Sequence, residues 1–150
     1  MSKKADMAEG LFLQGFNCSQ AVFGAFAEDL ELDKEFALKM ASSFGGGTGK
    51  LREVCGAVSA MFMIAGIKYG YSDSNNPDLK EEHYKRIQEL AEKFKEQNGS
   101  IICRELLELD FKQDTPVPSE RTEQYYESRP CLQLVRNAAE LIEKEIKESK

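Results

Sequence analysis

Val54-Cys55-Gly56-Ala57-Val58-Ser59-Ala60-Met61-Phe62-Met63-Ile64-Ala65-Gly66-Ile67 carries no charged side chain, in a chain where charged residues make up 31% of the total. A helix without a polar face has no side to turn toward water, so it is expected to be buried almost all round. The run is shorter than the roughly 20 apolar residues needed to cross a bilayer, which makes it the core of a water-surrounded bundle and excludes membrane insertion. The predicted helix extends from about Arg52 to Tyr69. Gly56, Ala57, Ser59, Ala60 and Ala65 keep its surface small enough for neighbouring helices to come close. The same small-residue face would suit self-association into a homodimer.

The segments on either side also read as helices. Leu, Ala, Glu and Lys are abundant, Val, Ile and Thr are sparse, and no stretch alternates with a period of two. A first helix is predicted from Lys4 to Leu13, ending near Gly15. A second, capped by Asn17 with Gln20 completing a capping box, runs to about Leu30. Asp33 caps a third, expected to carry Phe36, Ala37, Met40 and Ala41 inward. Gly45-Gly46-Gly47-Thr48-Gly49 breaks the pattern and is a loop.

Beyond the central helix, Ser72 to Pro77 form a turn. Pro77 to Gln97 form an amphipathic helix with Leu79, His83, Ile87, Leu90, Ala91 and Phe94 on its apolar stripe. Ser100 is placed to cap a short helix through Leu109. Asp110 to Pro130 contain three prolines and predict either a helical turn around Glu120 to Tyr126 or a lid laid across the body. A last helix, Cys131 to about Glu148, points Leu134, Val135, Ala138, Leu141, Ile142 and Ile146 inward. The expected fold is an all-α bundle of about six to seven helices around a buried central one, forming one domain over residues 1–150.

Composition narrows the function. Twenty Lys and Arg against 26 Asp and Glu give a net charge of −6, whereas a nucleic-acid module normally presents a basic stripe to the phosphates. The first residues carry two lysines with no apolar stretch behind them resembling an export signal, so the expected location is cytoplasmic. There, cysteines more often serve metal binding or redox chemistry than structural disulfides.

The four cysteines are Cys18, Cys55, Cys103 and Cys131. Each falls in the first turn or so of a predicted helix. Each is followed, three and four residues on, by members of the inward face: Ala21 and Val22, Val58 and Ser59, Leu106 and Leu107, Leu134 and Val135. All four sulfurs are therefore expected to point into the bundle near one end. The positive end of a helix dipole, with its free N–H groups, stabilises a thiolate, the form that attacks disulfides and binds soft metals. The alternative for each cysteine is a small, inert core hydrophobe. No pair reads C-x-x-C, so a zinc finger or thioredoxin-like motif is absent.

The glycine stretch followed by Glu53-Val54-Cys55-Gly56-Ala57-Val58-Ser59-Ala60, with Cys18 upstream in Asn17-Cys18-Ser19-Gln20-Ala21-Val22 and Cys103 and Cys131 downstream, resembles the signature of the C_GCAxxG_C_C family. The likeness covers nearly the whole chain, with Ala60 where the pattern has its last glycine. It implies a helical protein whose four cysteines are redox-active or metal-binding, and it supplies no substrate. A related domain occurs in split-Soret cytochromes, but this chain has no haem-attachment motif, so haem does not carry over.

Three readings follow, the last of them a plain helical interaction module with inert core cysteines. In the first, Cys55 is the attacking or electron-accepting thiolate, Cys18 resolves it, and Cys103 and Cys131 form a second pair or an exit route, exchanging electrons with a redox partner that the sequence does not name. Three disulfide connectivities are open to four cysteines. In the second, Cys18, Cys55, Cys103 and Cys131 jointly hold an iron–sulfur cluster or zinc. The backbone of Gly45, Gly46, Gly47, Gly49 and Gly56 is placed either to cradle an anion or thiolate or to pack tightly against the central helix. Thr48-Gly49-Lys50 is not a phosphate loop, because Phe44 stands at the required first glycine and Leu51 at the Ser or Thr. His83 reads as a partly buried surface residue. Tyr125 and Tyr126 either cover the cysteine end or anchor the long loop.

Overall fold

A computed structural model describes residues 2–110 and 114–149. Among these residues the chain forms eight helices and no strand, apart from one isolated antiparallel bridge between Val54 and Ile102. The helices are α1 (Lys3–Leu13), α2 (Cys18–Ala25), α3 (Lys34–Ala41), α4 (Gly56–Tyr69), α5 (Pro77–Asn98), α6 (Cys103–Leu106), α7 (Glu123–Ser128) and α8 (Cys131–Glu148). Among the described residues no helix is long and apolar enough to cross a membrane.

Local chemistry sets most of the boundaries. Asn17 accepts from the Gln20 amide while the Gln20 side chain accepts from the Asn17 amide, the reciprocal capping box expected at the start of α2. Asn76 and Pro77 open α5, and Gly99, with φ at +94°, closes it. The second helix stops at Ala25 rather than near Leu30. Lys4, buried within α1, donates to the Ala25 carbonyl at 3.1 Å and pairs with Asp29 at 2.9 Å, and Glu31 then turns left-handed. A carbonyl at the end of a helix lacks an intrahelical partner, and here a neighbouring ammonium fills that role.

The central helix begins at Gly56, not Arg52, because Arg52 is left-handed, with φ at +61°, and residues 53–55 are bridged to residues 101–103. Cys55 N–H donates to the Ile101 carbonyl at 2.8 Å, and Cys103 N–H to the Glu53 carbonyl at 2.6 Å. This bridge also shortens the following helix to the single turn Cys103–Leu106.

Helices α1, α2 and α8 pack on one another and α4 packs on α2 and α8, with α5 laid against α4 and α8 and α3 against α2. Val58, Ala60, Met61, Ile64 and Ala65 are fully buried within this set, alongside Val22, Phe23, Phe94, Val135 and Ile142. The central helix is not enclosed along its whole length, since Ile67 in its last turn is 48% exposed. Phe36 and Met40, expected to face inward, are 55% and 48% exposed, while Ala37 and Ala41 are fully buried. The buried face of α3 is thus rotated by about one residue from the expected one. Its approach to α2 is close: a Cβ on Gly24 would lie 2.9 Å from Leu38 Cδ2, so the alanine side fits where phenylalanine and methionine do not. Leu79, at the outer end of the α5 stripe, is likewise exposed, whereas Leu90 and Phe94 are buried.

Ile64→Ala is expected to lower stability by about 2–5 kcal/mol through lost transfer energy and an unfilled cavity. Phe36→Ala should stay within about 0.5 kcal/mol. Urea unfolding of both variants checks this, and a comparable loss for Phe36→Ala would mean that α3 faces the core as its sequence suggests.

Candidate functional site

All four cysteines stand at helix starts. Cys18, Cys103 and Cys131 are the first residues of α2, α6 and α8, and Cys55 is the residue that caps α4. Together they line one chamber of about 60 Å³, walled by Phe12, Leu106, Leu107, Leu134 and Tyr125 and flanked by Arg52, Arg121 and Arg129. All four are free thiols. Cys55 and Cys103 are buried, while Cys18 and Cys131 retain partial exposure.

The approach of α2 to α4 is set by Gly56. A Cβ there would sit 2.5 Å from the Phe44 carbonyl oxygen and 2.7 Å from Cys18 Sγ. Cys18 and Cys55 are hydrogen-bonded to one another, and the amides of Gly46, Ser19 and Ala57 also donate to the Cys18 sulfur. Donation of the Cys55 thiol proton, aided by these amides and opposed by burial, brings Cys18 down to about 6. Cys55 moves up for the complementary reasons: its proton is held by the Cys18 sulfur, and its surroundings are dry.

The other two sulfurs are protonated thiols near neutrality. Burial raises Cys103, against the pull of Arg52, whose Nη1 lies 3.5 Å from its sulfur. Cys131 is pushed up to about 12, first by burial and then by the charges of Cys18 and Cys103.

The glycine loop supplies one of the three amides through unusual backbone geometry. Gly46, Gly47, Thr48, Gly49 and Lys50 all have φ between +54° and +70°, forming a left-handed turn. Such a conformation costs a non-glycine residue roughly 1–2 kcal/mol. The turn is held by Arg52 N–H to Gly46 carbonyl at 3.2 Å and Glu53 N–H to Gly47 carbonyl at 2.9 Å. The glycines also permit close packing: a Cβ on Gly47 would lie 2.6 Å from Cys103 Cβ, and one on Gly45 would lie 2.4 Å from the Asn17 side chain. Gly49 has open space around it. The close packing that the sequence offered as one alternative is present in this loop, and the Gly46 amide lies toward the Cys18 sulfur.

The long connection contains both features anticipated for it. The helical turn is present at Glu123–Ser128, a few residues later than expected, and residues 114–122 cross the body as a strap. Asp114 ties down the strap, taking Arg52 Nη2 at 2.7 Å and Lys50 Nζ at 3.6 Å. The guanidinium beside it holds the Asp114 carboxyl below the usual range. Lys50 also donates to the Val117 carbonyl. Tyr125 lines the chamber, whereas Tyr126 packs edge-on against Phe12 at 6.0 Å. One tyrosine covers the site and the other anchors the loop. His83 lies elsewhere, edge-on to Tyr71 at 6.1 Å.

The arginines and Asp114 were not singled out from the sequence. Arg52 precedes Cys55 by three residues and Arg129 precedes Cys131 by two, a proximity that was available as a signal. The place of Asp114 depends on the path of the strap and has no local signature.

A metal centre needs several donors to converge on one point. Among the described residues no three His, Cys, Asp or Glu side chains come together in a group able to hold a metal ion. All four sulfurs reach the chamber, but they do not converge as a ligand group. Cys103 is instead engaged by a buried guanidinium, so the arrangement does not fit a four-sulfur zinc or iron–sulfur centre.

A family model described as "Putative redox-active protein (C_GCAxxG_C_C)" matches residues 16–145. The chain belongs to this family. No curated protein and no solved structure gave a match. The matched span contains all four cysteines and the glycine turn, whereas Phe12 in the chamber wall lies outside it.

The pH dependence of Cys18 follows from its surroundings. Its pKa is lowered, so thiolate predominates above about pH 6 and is lost as pH falls through that value. Alkylation by iodoacetamide, followed by peptide mass spectrometry, should reach half its plateau rate near pH 6, whereas an ordinary thiol does so near about 8.5. Cys55→Ala removes the S–H donor and should move that midpoint upward. A midpoint above 8 in the unaltered protein would overturn this assignment.

Proposed function

We propose that the protein performs thiol–disulfide chemistry with Cys18 as the attacking thiolate and Cys55 as the partner that closes the disulfide, in the cytoplasm. The roles are exchanged relative to the sequence-based expectation. The observation that carries the reading is the close pairing of Cys18 and Cys55 inside a chamber that all four cysteines line.

Cys18 meets both requirements of an attacking thiol. Its pKa lies close to the ambient pH, where thiolate fraction and intrinsic nucleophilicity are best balanced, and it retains partial exposure. Cys55 is the buried neighbour, already hydrogen-bonded to it and screened from outside reagents. The N–H groups around Cys18 stabilise the thiolate in the reduced form, and the same sulfur is a good leaving group when the disulfide is reopened. Cys103 and Cys131, raised by burial, stay protonated near neutrality and outside this exchange.

Mild oxidation of the reduced protein with diamide, followed by thiol counting and peptide mapping, tests the reading. The expected product has two fewer free thiols and a Cys18–Cys55 cross-link. Cys18→Ser should abolish the cross-link, and Cys131→Ser should leave it in place. Four unchanged thiols would refute the assignment.

A further inference from the structure

We propose that the chamber takes a small disulfide bearing carboxylate groups, held by Arg121 and Arg129 at the mouth while Cys18 attacks its sulfur. This rests on the thiol–disulfide reading above and names the class of substrate for it. The charge of the site is opposite to that of the chain. The whole protein carries a net charge of −6, yet the chamber and the adjoining groove present Lys50, Arg52, Arg121 and Arg129 and no Asp or Glu.

Two of these cations are already matched, because Lys50 and Arg52 share Asp114. The other two have no carboxylate within 4 Å among the described residues. Arg121 donates to the carbonyls of Phe12 and Phe16, both at 2.9 Å, which fixes its position without neutralising its charge. Arg129 lies over the Tyr125 ring at 5.1 Å, and its guanidinium hydrogen-bonds to no described protein group. A planar fork of unused donors at the edge of an apolar chamber is the geometry that recognises carboxylate.

Size points to a small molecule. The chamber of about 60 Å³ opens into a groove of about 520 Å³ under the strap, formed in part by Pro116, Pro118 and Ser119. That groove is within the range that suits a small ligand, and the strap restricts the approach of a folded protein surface to the sulfurs. Phe12, Leu106 and Tyr125 supply apolar contacts for the carbon chain of such a molecule.

The step balances as follows. The Cys18 thiolate attacks one sulfur of RS–SR, forming the Cys18–S–S–R mixed disulfide and releasing RS⁻. Cys55 then attacks Cys18 Sγ, forming the Cys18–Cys55 disulfide. The proton lost by Cys55 leaves with the second RS⁻ as RSH. The protein dithiol is oxidised by two electrons, and the small disulfide is reduced to two thiols.

The test compares three probes on the reduced full-length protein: 3,3′-dithiodipropionate (anionic), 2-hydroxyethyl disulfide (neutral) and cystamine (cationic). Each rate is divided by the rate with 2-mercaptoethanol, to remove intrinsic differences between the disulfides. The expected order is anionic, neutral, cationic, with the anionic probe at least about tenfold ahead of the neutral one at low salt. Added salt should narrow the gap. Arg129→Gln should narrow it as well, and Arg129→Lys should restore part of it. Equal normalised rates for the three probes would overturn the substrate class while leaving thiol–disulfide chemistry intact. Failure of all three to oxidise the protein would overturn both.

Discussion

The close approach of two helix starts, those of α2 and α4, governs the rest of the site. It exists because Gly56 has no Cβ: any side chain there would meet the Phe44 carbonyl and the Cys18 sulfur at well under van der Waals distance. With the two backbones this close, Cys18 and Cys55 share a hydrogen bond, and the first amides of both helices reach one sulfur. The left-handed turn at 46–50 adds a third amide and positions Arg52 beside Cys103. Its non-glycine members, Thr48 and Lys50, adopt a conformation that costs each of them free energy. The Lys50 contacts to Asp114 and the Val117 carbonyl help to offset that cost. Strain of this kind concentrates where a backbone group must be aimed.

Sequence periodicity was most informative where one physical effect dominated. The charge-free run at 54–67 predicted the central helix, because burial is the only stable environment for it. The Asn17–Gln20 box and Pro77 were readable because capping is local. The α3 face was misread because hydrophobicity alone favoured Phe36 and Met40, whereas the limited space beside α2 accepts only the alanine face. The start of the central helix was misplaced because the bridge at 53–55 pairs residues nearly fifty positions apart, a relation that no local window contains. The convergence of the cysteines was legible from their helix-start positions. The basic lining was not, since it arrives from three separate segments.

Charge distribution separates the site from the bulk of the molecule. Most acidic residues lie on solvated faces, where ion pairs such as Arg136 with Asp6 and Glu9 contribute modestly. Acidic residues are absent from the chamber lining. An anion approaching the molecule at random meets net repulsion, whereas the basic lining of the groove attracts it. A local field of opposite sign, focused by apolar walls, imposes orientation as well as affinity. The cationic groups also offset the repulsion between the Cys18 thiolate and an anionic ligand, which an apolar chamber alone would leave uncompensated.

A helix start by itself does not make a reactive cysteine, and this chamber shows why. Cys131 opens the 18-residue α8 and so stands at the N-terminus of a long helix dipole, yet its pKa is pushed up to about 12. The dipole is worth typically about 0.3–1 kcal/mol, less than one pKa unit, and burial together with the nearby Cys18 charge outweighs it. Cys18 opens the eight-residue α2 and is brought to about 6. The difference between them is made by direct donors: one thiol and three amides point at Cys18, while Cys131 has no comparable set. Once one sulfur in a small dry chamber is charged, its field raises the others. Four cysteines at equivalent helix positions therefore do not form four equivalent thiolates; the donors around Cys18 select one and hold the remaining three protonated.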